Sequence, residues 1–87
     1  MRYSGDMRQD EHFIVFPEGD VQEIPGRLRI EQLVDLNGRP LALPLPTTRI
    51  IAFRVAKIVV KEGRGGSETY HHLELASAEE LAHYAKR

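Results

Sequence analysis

Hydrophobic and polar positions alternate in short runs along this chain, and turn residues interrupt every run within about a dozen positions. "HFIVF" (12–16) is a β-type run of aromatic and β-branched residues, ended by the turn "PEGD". "VQEI" (21–24) is a weaker strand candidate, closed by Pro25 and Gly26. In "RLRIEQLVDL" (27–36), Leu28, Ile30, Val34 and Leu36 share one parity, while Arg27, Arg29, Glu31 and Asp35 hold the other. That is the period of a strand with one buried face. Asn37-Gly38 then predicts a two-residue hairpin turn, with Leu36 opposite Arg39, Val34 opposite Leu41, Gln32 opposite Leu43 and Ile30 opposite Leu45. Because Pro40, Pro44 and Pro46 cannot donate to a ladder, "RPLALPLP" is expected as an edge strand or an extended polyproline-like strip.

"RIIAFRVAKIVVK" (49–61) is rich in β-formers but changes phase. Ile51, Phe53 and Val55 share one face, whereas Ala56, Ile58 and Val60 share the other. Either both faces are buried or a β-bulge near Ala56 switches the parity. "EGRGGS" (62–67) turns the chain and sets Lys61 opposite Glu68, Val59 opposite Tyr70, Ile58 opposite His71 and Ala56 opposite Leu73. "SAEE" (77–80) is a capping box that opens a helix over 77–87, with Ala78, Leu81, Ala82 and Ala85 as its apolar stripe and Lys86 and Arg87 at its dipole's negative end. A helix this short needs a sheet to dock on.

These elements predict a mainly β chain (α+β by strict count). Its core would be a small antiparallel curled sheet, or an SH3-like or OB-like barrel, of about five strands with one C-terminal helix. Residues 1–11 are polar and aperiodic and are expected to form a flexible lead-in; 12–87 are expected to form a single domain. At 87 residues and without cysteine, only a modest core is available, with neither disulfide nor thiolate metal site to supplement it. The charged start lacks the apolar stretch of a secretory signal, and no apolar run approaches a membrane span, so a cytoplasmic protein with no membrane partner is expected.

Net charge is −1 but unevenly spread: residues 1–26 sum to −4, 27–64 to +5 and 65–87 to −2. A basic middle is either an anion-binding face or one neutralised within the fold. The glycines at 63, 65 and 66 precede Ser67 and Glu68 rather than Lys-Ser/Thr and a helix, so they suit a hairpin tip, not a phosphate cradle. His71 and His72 are consecutive on a strand and point to opposite faces, which prevents joint chelation. A zinc site would need one of them with His12 or His83 and a carboxylate, and no spacing suggests it. Ser67 lacks a nucleophile-elbow context, and Ser77 is occupied as a cap. Phe13, Phe16 and Phe53 are expected in the core.

The expectation is thus a non-enzymatic binding or scaffolding module without cofactor, metal or small-molecule substrate, engaging a protein partner or itself as a homodimer. The alternative is a nucleic-acid-binding small β-barrel using the basic 54–72 hairpin. The binding candidates are Arg54, Lys57, Lys61, Arg64, Tyr70 and His72.

Overall fold

The structure is a computed structural model that describes residues 9–85. It contains one mixed five-stranded sheet and one short helix: β1 (Gln9–Val15), β2 (Val21–Ile24), β3 (Leu33–Val34), β4 (Phe53–Gly63), β5 (Gly66–Leu75) and α1 (Ala78–Tyr84). The spatial order is β2-β1-β5-β4-β3, antiparallel throughout except for the β1–β5 pair. The sheet curls into a half-barrel, as the short alternating runs predict.

The β4–β5 hairpin is the longest element pair, and its register is the expected one at the tip. Lys61 faces Glu68, Val59 faces Tyr70 and Ile58 faces His71, with Arg64 and Gly65 as the two-residue turn between Gly63 and Gly66. A bulge between Val55 and Lys57 resolves the phase change. Leu73 consequently pairs with Val55, not with Ala56. The extra residue lets Val55 before it and Ile58 after it reach the same concave core, which an unbroken strand would forbid.

β1 begins at Gln9, inside the expected lead-in, because it lies parallel against the start of β5. The Gln9 N–H donates to the Gly65 carbonyl at 2.7 Å, and Gln9 pairs with Gly66. Gly66 has φ +144°, and a Cβ there would run into the Gln9 backbone. Glycine at 66 is therefore what admits the third strand.

The strand expected over 27–36 does not form; only Leu33–Val34 are extended into the sheet. Glu31 takes φ 72°, and the chain turns there. The Gln32 N–H donates to the Arg29 carbonyl (3.1 Å) while the Arg29 N–H donates to Gln32 Oε1 (2.9 Å). The broken period leaves Leu28 and Val34 buried but turns Ile30 and Leu36 out, and it buries Leu33 from the opposite parity. The turn at Asn37-Gly38 also differs. Asn37 is not left-handed; Gly38 is, at φ +78°. The Asp35 carboxylate accepts the N–H groups of Asn37 (2.8 Å) and Arg39 (2.9 Å), building a three-residue loop of a type I turn plus left-handed glycine. Val34 then bridges Pro40, one residue off the expected register, and the pairs of Gln32 with Leu43 and Ile30 with Leu45 are not made. After Pro40 the proline strip is irregular, touching strand-like pairing again only where Leu45 meets Ala85.

Ser77 caps α1 as expected: its hydroxyl accepts the Glu80 N–H, and the Glu80 carboxylate accepts the Ser77 N–H, both at 3.1 Å. The helix closes at Tyr84, and Lys86 and Arg87 lie outside the described residues. Of its expected stripe only Leu81 is buried; Ala78 and Ala82 are exposed.

Two thin cores result. Ile14, Ile24, Leu28, Val34, Phe53, Val55 and Leu73 fill the concave side, with Phe16 and Ile58 against them. Leu33, Leu45, Ala52, Ala76 and Leu81 form a second cluster beneath α1 and the proline strip. Leu33 pairs with Arg54 and Val34 with Phe53, so these two clusters grip opposite faces of the same sheet.

Candidate functional site: the outer face of the long hairpin

Alternation along β4 and β5 places Lys57, Val59 and Lys61 beside Tyr70 and His72 on the convex face. Lys57 pairs with His72, and the Lys61 ammonium lies 5.3 Å from the centre of the Tyr70 ring, a cation–π contact. The Tyr70 hydroxyl donates to Glu68 Oε1 at 3.0 Å. That bond to a carboxylate, followed by partial desolvation and the charges of Glu68 and Glu11, raises the phenol above its ordinary pKa and keeps it a neutral donor. Four of the six candidate residues thus form one contiguous group on this face.

The other two are not part of that group. Arg54 shares the face but is held by carboxylates: its Nε donates to Glu80 (2.7 Å) and its Nη2 to Glu74 (2.8 Å), and these bonds raise its pKa further. It ties β4 to α1 and β5. Arg64 sits alone at the exposed hairpin tip. Just below the tip is a groove of about 390 Å³ lined by Gln9, Glu11, Lys61, Glu68 and the turn glycines.

Phe13 joins this face. It pairs with Tyr70 in the parallel β1–β5 ladder, and the rings stack at 5.0 Å and 17°. It belongs to neither core cluster, in contrast to Phe53 and Phe16, which meet edge to face at 5.2 Å against the concave core. The expectation that all three phenylalanines are core fails because "HFIVF" is apolar on both parities, so alternation could not say which ring turns inward. Val15 and Val59 also lie on the convex face outside both clusters, and Glu11, Glu23 and Glu68 add three carboxylates.

His71 faces the opposite way and is fully buried. Its Nδ1 lies 2.8 Å from the Phe13 carbonyl, and its Nε2 accepts the Leu28 N–H at 3.0 Å. Only a neutral ring protonated at Nδ1 satisfies both bonds. Burial lowers its pKa, and the charges of His12 and Arg27 push the same way. With both nitrogens committed to backbone, this histidine is a strap across β1, β5 and the 27–32 turn, not a ligand or a base. The His12 ring is 6.4 Å away, and its buried Nδ1 has no hydrogen-bond partner among the described residues. No group of three or more His, Asp or Glu that could hold a metal ion occurs among the described residues.

A second surface surrounds the proline strip, whose leucines the sequence, read for partner recognition, puts on a common face. Ile30, Leu36, Leu43 and Ile51 are each more than half exposed. They flank half-buried Leu41 in two adjoining grooves, one with Leu33 and Tyr84, the other with Ile50. The proline spacing was the available signal: prolines at 40, 44 and 46 deny the strip a ladder, and leucines between them are left without a sheet face to occupy.

Residues 8–84 match the family described as "Uncharacterised Treponema protein". The chain belongs to that family. The match spans all five strands and the helix. No curated protein and no solved structure matches the chain. No helix among the described residues is long and apolar enough to cross a membrane.

Proposed function

We propose that the protein is a non-enzymatic binding or scaffolding module that engages a protein partner or a second copy of itself. One observation carries this reading. Ile30, Leu36, Leu43 and Ile51 expose aliphatic surface around Leu41, beside the second core. Single exposed aliphatics are ordinary, but several converging on shared grooves mark an interaction site. A small SH3-like module presents a binding surface on a comparable scaffold; that is an analogy of shape. A cytoplasmic setting suits a chain without cysteine.

The test is site-specific photo-crosslinking in the native cell, with the crosslinker at Leu36 and Ile51 and, as control, at exposed Glu62 by the far hairpin tip. Discrete protein adducts at the two aliphatic positions and none at the control are expected. Adducts that are equal at all three sites, or none at all, defeat the reading. If the partner is a second copy, Leu36→Ser with Ile51→Ser converts a dimer to a monomer in analytical ultracentrifugation.

The second reading is nucleic-acid binding through the 54–72 hairpin. The Phe13–Tyr70 stack beside Lys57 and Lys61 supports it, since stacked rings on a cationic sheet suit unpaired bases. Glu11, Glu23 and Glu68 on the same face oppose a phosphate backbone. Low-salt anisotropy with labelled single-stranded RNA and DNA decides it.

A further inference from the structure

The sheet has two edges of unequal character. At one, β2 runs four residues and stops before Pro25. At the other, β3 covers only the beginning of β4: Leu33 and Val34 pair with Arg54 and Phe53, and Val55 bonds to Glu31 and Gln32. From Lys57 to Lys61 the only strand paired with β4, among the described residues, is β5. The backbone groups that point away from β5 form an unfilled ladder about five residues long, roughly 17 Å at 3.4 Å per residue.

We propose that this edge accepts an extended acidic segment of another protein as an added strand. Lys57 and Lys61 are exposed and lie on the same face of the edge strand, four residues and roughly 13 Å apart. Neither has a carboxylate within ion-pair distance among the described residues, because Glu68 is engaged by the Tyr70 hydroxyl and Glu74 by Arg54. An added strand with acidic residues at positions i and i+4 sets one carboxylate beside each lysine. Main-chain hydrogen bonds supply the affinity and the two lysines select the sequence.

The same lysines argue against the other occupants. In an antiparallel pairing of two β4 edges centred on Val59, Lys57 faces Lys61 of the second copy, twice, on one side of the sheet. Like charges directly opposed destabilise a ladder, so the edge repels its own copy while attracting an acidic strand. A nucleic acid has no peptide groups to fill the ladder, and Glu11, Glu23, Glu68 and Glu74 share the convex face. This surface is separate from the aliphatic grooves around Leu41, so either interaction can fail alone.

The probe is a pool of fluorescein-labelled nine-residue peptides with Asp or Glu at positions 3 and 7 and Val, Thr or Ile elsewhere, followed by fluorescence anisotropy. A saturable complex is expected, weakened about tenfold by Lys57→Glu and again by Lys61→Glu. Both variants change exposed side chains, and circular dichroism and thermal melting establish that they remain folded. N-methylation of alternate peptide amides should abolish binding in one phase of alternation and spare it in the other. Binding indifferent to both N-methylation phases overturns strand addition in favour of simple charge attraction. No peptide binding, oligonucleotide binding in its place, or a dimer broken by Val60→Lys overturns the proposal altogether.

Discussion

Acidification should weaken this fold through one residue, His71. In the native chain its ring is fully buried, donates from Nδ1 to the Phe13 carbonyl and accepts the Leu28 N–H at Nε2. A second proton has nowhere to go but Nε2, where it would meet the Leu28 N–H head on. Burial therefore holds the folded pKa below the ordinary value, while the unfolded chain protonates near pH 6.5. Below that pH the unfolded state binds the extra proton and the folded state does not. The stability is fully present above the unfolded pKa and is lost as pH falls toward the depressed folded value, with a slope approaching ~1.4 kcal/mol per pH unit. For a chain of this size that is a large share of a total of about 4–13 kcal/mol. Urea unfolding at half-unit steps from pH 7.5 to 5.0 reads it as a midpoint that falls by roughly 1 M per unit below pH 6.5. Glu80, whose pKa is lowered chiefly by its bond to Arg54, contributes stability that is present above the ordinary carboxylate range and lost at lower pH, outside this window. The comparison is His71→Gln. It leaves Leu28 N–H and Phe13 C=O imperfectly satisfied and costs about 1–3 kcal/mol at pH 7.5. Its curve between pH 6.5 and 5.0 should nevertheless be flatter than that of the wild type by the slope above. Two parallel curves would refute the assignment of the acid sensitivity to His71.

Four further substitutions test how the elements are joined. Gly66→Ala places a Cβ against the Gln9 backbone at a left-handed φ and should cost about 3 kcal/mol by urea denaturation, while Gly65→Ala, with open space around it, should stay within about 0.5 kcal/mol. Ser77→Ala removes the N-cap of α1 and should cost about 1 kcal/mol, read in the same titration; no change would mean that α1 is held by Leu81 and Arg54 alone. Arg54→Ala should lower the thermal midpoint by several degrees, and double-mutant cycles should find stronger coupling to Glu80, about one third exposed, than to Glu74, about two thirds exposed.

What the sequence disclosed was local. The capping box needs only four consecutive residues, and the β4–β5 register follows from one turn and one opposite-charge pair. The bulge at Ala56 was one of two readings of the phase change, the other being a strand buried on both faces, and the register decides for it. The failures share a different cause. Leu28, Ile30, Val34 and Leu36 alternate convincingly, yet Glu31 is left-handed because its N–H and the neighbouring Gln32 carbonyl bond to Val55, far along the chain. The Asn37-Gly38 signal was overridden by one carboxylate, Asp35, which stabilises a longer loop and shifts the register by a residue. The common placement of the candidate residues Lys57, Lys61, Tyr70 and His72 was legible, because hairpin geometry alone sets it. Phe13 arrives through a parallel pairing of strands more than fifty residues apart, and no local pattern carries that.

Core packing is uneven along the molecule, which measures 53 × 24 × 17 Å. Both cores grip the end of the sheet where β3, the proline strip and α1 gather, on opposite faces of the same strands. The other end of the long hairpin is covered by neither, and it is held by its ladder, by the stacking of Phe13 on Tyr70 and by the entry of β1 at Gly66. Substitutions at Lys57, Val59 and Lys61 should therefore alter binding with little effect on unfolding, whereas Leu81, Val55 or Leu73 cannot be truncated without a cost of about 2–4 kcal/mol. Within the hairpin, Arg54 is spent internally on Glu74 and Glu80, whereas Lys57 and Lys61 stand exposed on the unfilled edge. A strand added there would complete hydrogen bonding on the arm that the protein's own core leaves uncovered, so binding should protect the β4 amides from Lys57 to Lys61 in hydrogen exchange more than any amide at the helix end.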